Sequence, residues 1–318
     1  MDEQVFRQQL AFTLGDTRLQ GLGQLYRGKV RDTYRQGDRL VLVTSDRISA
    51  FDHVLGTVPF KGEILNRTAA FWFERTKDVA KSHLLQVPDP NVMVARACQP
   101  LPIELVVRGY LTGSLWRDYE AGRAGVYGLP FPAGMKKDQR FEQPVITPTT
   151  KEAIGKHDEP VSRDEIIRRG LVPEPVLERA YAAALALFAR GQQVAKERGL
   201  ILVDTKYEFG LAGDELLVID EIHTMDSSRY WELNEYDDRF ARGVDQKMLD
   251  KENVRQWLIR ERGFSGHGTP PPLPDEVRVD IARIYASAYE RITGQTFAPE
   301  VGDVHARIER NLKAAGLL

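Results

Sequence analysis

The stretch ILVDTKYEFGLAGDELLVIDEIHTMDSSRYW, residues 201–231, decides how this chain is read. Its first run alternates strictly, with Ile201, Val203, Thr205, Tyr207 and Phe209 on one face of a strand and Asp204, Lys206 and Glu208 on the other. A second apolar run, ELLVIDEI, carries Asp220 and Glu221 inside it. Together they predict a β-hairpin closed around LAGDE. An unpaired buried charge is expensive, so acids at this density require partners. Lys206 can pair with some of them, but not with two acids on each strand followed directly by DSSR. Acids in such number fit a hard cation, because Mg²⁺ takes oxygen ligands and converts their repulsion into binding. A two-residue turn at Ala212 and Gly213 would send Glu208 and Asp220 to opposite faces. A shared ion therefore predicts a longer loop or a bulge around LAGDE.

Working outward, PEPVLERAYAAALALFARGQQVAKERG runs into the hairpin and predicts a helix, with prolines at its start and glycine at its end. LYRGKVRDTYRQGDRLVLVTSD has turn signals at Gly28 and QGD, which predicts short antiparallel strands. ILNRTAAFWFERTKD predicts a helix, and DPNVMVARACQPLPIELVVRGY two strands interrupted by Pro100 and Pro102. A hinge at Gln99–Pro102 would divide the chain there. Phe131–Pro160, rich in Pro, Thr and Lys, predicts a long irregular loop of the kind that serves as a lid or binding loop. Beyond the hairpin the chain reads as helices, broken at GHGTPPPLP and resumed at EVRVDIARIYASAYERITG. No repeat of solenoid period is present.

At 318 residues the chain exceeds the usual size of a single core, which predicts two packed units. A net charge of −2 argues against nucleic acid or an anionic membrane as partner, while leaving room for small basic pockets. The ligands are expected to be small. Cys98 is the single cysteine, which removes intrachain disulfides and multi-cysteine metal sites and points to the cytoplasm. The longest apolar run, Ala180–Ala189, falls short of the roughly 18 residues a membrane helix needs. Nothing marks an assembly interface, and a monomer is favoured.

Three further motifs carry chemistry. YRGKVRDTY places Gly28 beside Lys29 and Arg31, where glycine lets backbone N–H groups approach a phosphate and the cations supply charge. By itself this motif is better explained by an ordinary hairpin turn, since it matches no established phosphate-loop pattern. SDRISAFD packs Asp46, Arg47, Ser49 and Asp52 together, either as a capped turn or as a binding segment. VVRGYLTGSLW sets Arg108, Gly109, Gly113 and Ser114 where a strand gives way to a helix, the components of a phosphate-monoester site. His53, His83, His223, His267 and His305 lack ligand spacing and are expected in core or surface hydrogen bonds; His157, in GKHDEP, keeps a functional reading.

Taken with PVITPTTKEAIGKHDE, these motifs and the opening stretch resemble, in order and over most of the chain, the SAICAR synthetase family in its longer variety. The resemblance implies an α+β fold. Residues 1–101 would form an antiparallel β lobe that binds ATP like the nucleotide lobe of kinases. Residues 102–318 would form an α+β domain related to ATP-grasp enzymes, with carboxy-terminal helices. It implies an ATP-dependent carbon–nitrogen ligase that joins L-aspartate to 5-aminoimidazole-4-carboxyribonucleotide in purine biosynthesis, with Mg²⁺. Carried residue by residue, Gly28, Lys29 and Arg31 fall over the ATP phosphates and Glu104 on the hinge facing adenine. Glu208 and Asp220 fall on the metal positions. Arg108, Ser114 and Arg229 match the site for the ribonucleotide phosphate, with Asp204, Asp226 and Ser228 in support. Lys206 falls at the reacting carboxylate, and Lys151 and Asp158 near an aspartate-handling loop. Arg31 stands where shorter members carry lysine. A small-molecule kinase on the same lobe, or a nucleotide sensor, are the rival readings; the kinase product would keep the phosphoryl group, and the sensor would not need Lys206, Glu208 and Asp220 together.

Overall fold

A computed structural model describes residues 2–50, 53–151, 158–249, 259, 261–264, 266 and 268–318. Asp52, His157 and His267 lie outside the described residues. β1 (Gln24–Arg27), β2 (Arg31–Gln36) and β3 (Arg39–Thr44) form an antiparallel meander, as the turn signals predict. β4 (Arg47–Ala50) and β5 (His53–Thr57) make a separate ribbon. β6 (Leu84–Asp89) and β7 (Val92–Arg96) complete the first sheet in the order β1-β2-β3-β7-β6. The predicted helix between the strands spans Lys61–Thr76.

The second sheet carries the site. It contains β8 (Gln99–Pro100), β9 (Ile103–Tyr110), β10 (Arg140–Thr150), β11 (Leu200–Ala212), β12 (Glu215–Ile219) and β13 (Ser228–Glu232). Their order is β10-β9-β11-β12, with β13 and β8 also pairing along β11. Helix Glu174–Glu197 buries Leu177, Ala180, Ala184, Leu187, Phe188, Gly191, Val194 and Ala195, a stripe of helical period that packs on β11.

Three sequence expectations change here. Phe131–Pro160 is not wholly irregular, because Arg140–Thr150 is an edge strand paired with β9. An edge tolerates proline: Pro144 falls in a register shift between Arg140 and Val145, and Pro148 sits opposite Leu105. The residues after the hairpin are not all helical, since Ser228–Glu232 is a strand against β11.

The strict alternation of β11 also fails at its start. A bulge between Leu202 and Asp204 shifts the register against β13 by one residue. Leu200 and Leu202 therefore join Tyr207 and Phe209 in the main core, while Ile201 and Val203 pack with Tyr110 and Trp231 in a smaller cluster. The single extra residue exchanges the faces. Asp204, Lys206 and Glu208 still share one face.

The carboxy-terminal residues return to the first half of the molecule. Helix Asp275–Thr293 packs on Lys61–Thr76 and on Glu3–Gln9. Helix Val304–Ala314, grouped by the sequence with the second unit, instead places Val304, Ile308 and Leu312 against Tyr34, Val41, Val43, Val92 and Val94 of the first sheet. Among the described residues no helix is long and apolar enough to cross a membrane.

Candidate active site

Cross-strand pairing on the second sheet assembles the first corner of the site. Asp204 on β11 stands directly opposite Arg108 on β9 and directly opposite Arg229 on β13, so three adjacent strands line up cation, anion and cation. Asp204 Oδ2 lies 3.2 Å from Nη1 of each arginine. Arg108 also donates to Thr147 Oγ1 at 2.8 Å and to Ser114 Oγ at 3.1 Å. Burial pulls its guanidinium below the ordinary value, opposed by Asp204 and reinforced by Arg229. Ser114 lies in the first turn of helix Gly113–Glu120, whose N–H groups favour an anion. Gly113 has φ +60°, and a Cβ there would lie 2.0 Å from Arg229 Nη1, so glycine alone lets the guanidinium pack against the helix start.

Two residues along the same face of β11 comes a lysine–carboxylate cluster. Lys206 Nζ donates to Glu208 Oε1 at 2.6 Å and to Glu104 Oε1 at 2.9 Å, and Lys151 closes onto the other oxygen of Glu208. Burial pushes the Glu208 carboxyl up, but the charges and hydrogen bonds of Lys206 and Lys151 outweigh it and leave the pKa at about 2. For Glu104, burial and the neighbouring Glu208 outweigh Lys206, and its carboxyl is raised. Burial disfavours charge on Lys206 too, yet the two glutamates hold it above the ordinary lysine value. Glu104 thus belongs to this cluster through Lys206.

The third corner joins the two sheets. The β1–β2 connection over Gly28 and Lys29 is held from beneath by Arg47, which donates to the Gly28 and Lys29 carbonyls at 3.0 Å each and pairs with Asp32 at 2.7 Å. Ser45 donates to the Val30 carbonyl at 2.8 Å. Asp46 accepts from Leu14 and Gly62 N–H, both at 2.8 Å, the second at the start of helix Lys61–Thr76; burial raises its carboxyl to about 6. Ser45 and Arg47 of SDRISAFD therefore clamp the loop from beneath. Arg31 reaches across to the second sheet, forming ion pairs with Asp220 and, at 2.8 Å, with Glu221 Oε2.

The hairpin corrects the expected loop. Ala212 pairs with Glu215 across a regular two-residue turn, with Gly213 at φ +64°, and Glu208 faces Ile219. The irregularity lies at the other end of β12. Asp220, next after Ile219, has φ +63° and leaves the ladder, so strand alternation no longer dictates its face.

These residues suit Mg²⁺ shared with a nucleotide. Among the described residues no group of three His, Cys, Asp or Glu side chains forms a cage. Mg²⁺ requires none, because it uses one or two carboxylates and completes its shell with phosphates and water. The buried Oε2 of Glu221 pairs with Arg31 but has no aligned hydrogen bond, an acceptor beside Asp220 suited to a cation or its water.

Not every expected residue joins these corners. Ser228 donates to Thr205 Oγ1 at 2.7 Å, on the face of the sheet opposite the arginines. Asp226 is bound by Lys61 at 2.8 Å and Tyr285 at 2.5 Å. Asp158 is exposed near the end of β10. Sequence reasoning missed Lys61 and Tyr285, whose partner lies 165 and 59 residues away. Thr147 was within reach, since it lies in the TPTT motif. His83 and His223 are buried, as expected; burial lowers His83 to about 4 and His223 to about 3, with Arg31 adding to the shift at His83.

Paired arginines about Asp204, a lysine–carboxylate cluster and a clamped β1–β2 loop joined to an acidic hairpin thus lie along the two sheets. The SAICAR synthetase family pattern matches residues 24–269, and the chain belongs to the SAICAR synthetase family. A phosphoribosylaminoimidazole-succinocarboxamide synthase of Legionella pneumophila (strain Lens) is 45% identical over 311 residues, 96% of this chain and 99% of that one. One of Cytophaga hutchinsonii is 46% identical over 306 residues, 94% and 98% of the two chains. The SAICAR-synthase of Saccharomyces cerevisiae, solved in complex with SAICAR, superposes with a TM-score of 0.78 at 31% identity, covering 90% of this chain and all of that one. A type 2 SAICAR synthetase in complex with ADP shares the fold, with a TM-score of 0.65 at 22% identity over 87% and 100% of the chains. The chain is thus an ATP-dependent carbon–nitrogen ligase of purine biosynthesis.

Proposed function

We propose that the order of side chains along β11 is the order of the substrates in the reaction. Asp204, Lys206 and Glu208 follow one another on one face at steps of about 7 Å, and this succession is the observation that carries the reading. Arg108, Ser114 and Arg229 hold the phosphate of 5-aminoimidazole-4-carboxyribonucleotide, with Asp204 aligning both arginines. Lys206 meets the carboxylate that reacts, kept charged by Glu104 and Glu208. Gly28, Lys29 and Arg31 cover the ATP phosphates, and Lys151 and Asp158 border the entry of L-aspartate.

A carboxylate is a poor electrophile and must be activated. Its oxygen attacks the γ-phosphorus, the bond to ADP breaks, and an acyl phosphate forms. The aspartate amine then attacks the acyl carbon, phosphate leaves, and the nitrogen gives up a proton. Glu208 and Asp220 would hold Mg²⁺, which when bound would supply charge neutralisation at the phosphates. The protein's share is positioning and fixed charge. Lys206 stays cationic throughout the neutral range and needs no proton to leave or arrive.

The test is product analysis with each substrate withheld in turn. ADP, phosphate and the succinocarboxamide nucleotide are expected only when ATP, ribonucleotide, L-aspartate and Mg²⁺ are all present. AMP with pyrophosphate, or a stable phosphorylated product formed without aspartate, would sink the proposal. Gly113→Ala supplies a local check on the phosphate corner. The new methyl must push Arg229 aside, so the ribonucleotide KM should rise about tenfold or more. An unchanged ribonucleotide KM would remove Arg229 from that corner.

A further inference from the structure

Helix Asp275–Thr293 touches the site-bearing segment at two separate points. Tyr285 Oη donates to Asp226 Oδ1 at 2.5 Å, and Lys61 takes the other oxygen at 2.8 Å. Tyr285 and Lys61 are buried and the Asp226 side chain is largely covered, and the lysine also lies 5.5 Å from the centre of the Tyr285 ring. Six residues further along the helix, Arg291 grips Glu232 with both nitrogens, at 2.7 and 2.9 Å. Asp226 precedes β13 and Glu232 ends it. Arg229 lies midway between the two attachments.

We propose that Asp275–Thr293 is a positioning element of the active site, in which Tyr285 and Arg291 hold Asp226–Glu232 at both ends and so aim Arg229 at the ribonucleotide phosphate. The proposal rests on the assignment of Arg229 to that phosphate. It gives the carboxy-terminal helix a catalytic purpose beyond covering Lys61–Thr76.

The physical argument is one of leverage. Arg229 gains its hold on an anion where Asp204, Arg108 and the helix start at Gly113 converge, and its guanidinium packs so close to Gly113 that a Cβ there would overlap it. β13 is five residues long; Tyr230 and Glu232 bond Leu249 and Lys247 along its other edge, but the bulge against β11 falls directly beside Arg229 and leaves slack there. A bidentate arginine–carboxylate pair at one end and a buried tyrosine–aspartate hydrogen bond at the other remove that slack.

Tyr285→Phe removes one oxygen and keeps the ring; Arg291→Gln removes the charge and the fork. Each variant of the full chain should raise the ribonucleotide KM about tenfold while the KM values for ATP and L-aspartate stay within about twofold. Arg291→Lys should recover part of the loss. Added to Arg229→Ala, Tyr285→Phe should raise the ribonucleotide KM no further, because its effect passes through Arg229. A purely structural helix would instead lower the melting temperature and move all three KM values together, or move none; either pattern overturns the proposal. If Arg229→Ala raises the ribonucleotide KM and Tyr285→Phe and Arg291→Gln do not, the phosphate assignment stands and the positioning role falls. If Arg229→Ala itself leaves that KM unchanged, both fall.

Discussion

Glu208→Gln is expected to lower kcat by roughly a thousandfold with saturating substrates and Mg²⁺, while the far-ultraviolet circular dichroism spectrum stays that of the wild type. Glu208 is the point at which the lysine cluster meets the acidic hairpin. It holds Lys206 and Lys151 and faces Ile219, whose next neighbour is Asp220. The amide keeps the shape and one acceptor oxygen but loses the charge that would hold a metal ion on the nucleotide. The fold should survive, because Lys206 retains Glu104 and the two lysine side chains remain 32% and 40% exposed. With a pKa of about 2, Glu208 is charged at every practical assay pH, so the wild-type pH profile between 5 and 9 should show no limb from its protonation. Near-normal magnesium-dependent turnover by the variant would exclude Glu208 from the reacting centre.

Arg108→Ala should act on the other end of the substrate. It removes a guanidinium that meets Thr147, Ser114 and Asp204, and it leaves Asp204 paired with Arg229 across the strands. A lost contact between a charged donor and a phosphate is worth roughly 1.5–3 kcal/mol, so the ribonucleotide KM should rise about tenfold to a hundredfold. The ATP KM should change by less than about threefold. Isothermal titration with each ligand separates the two. Lost ATP affinity with intact ribonucleotide affinity would place Arg108 on the nucleotide instead.

The parts of the site legible in the sequence were those written by strand period. Asp204, Lys206 and Glu208 lie two apart, so one face had to carry all three wherever the ladder stayed regular. Their cross-strand partners were less accessible. Arg108 faces Asp204 through a regular ladder between strands far apart in sequence, and Arg229 faces it only because a bulge of one residue reconciles β11 with β13; an extra residue inside an apolar run leaves no mark in composition.

A shared metal seems to require a hairpin loop longer than two residues or bulged at LAGDE; the turn is instead a regular two-residue one over Gly213 and Asp214, and the irregularity falls at Asp220. The departure of Asp220 from the ladder depends on a left-handed backbone that aspartate adopts only at some cost, so no propensity announces it. β10 was hidden by Pro144 and Pro148, which a central strand would reject and an edge strand accepts. Lys61 and Tyr285 were invisible for a different reason. A lysine opening a helix and a tyrosine inside an amphipathic one look ordinary until the chain has folded back across many residues to bring Asp226 between them.

The packing of Val304, Ile308, Leu312 and Leu317 on Tyr34, Val41, Val43, Val92 and Val94 sets a timetable for biosynthesis. A ribosome makes the first sheet early, but the surface that covers it is encoded some two hundred residues later than β7. Until those residues emerge, the first sheet keeps part of this apolar face wet, covered only in part by Leu14, Leu19 and Leu22 of the same cluster. Loss of the last helix would therefore injure the lobe encoded at the opposite end of the gene and spare the ribonucleotide corner in contact terms. A nascent chain stalled before that point would be recognised by chaperones through its amino-terminal half.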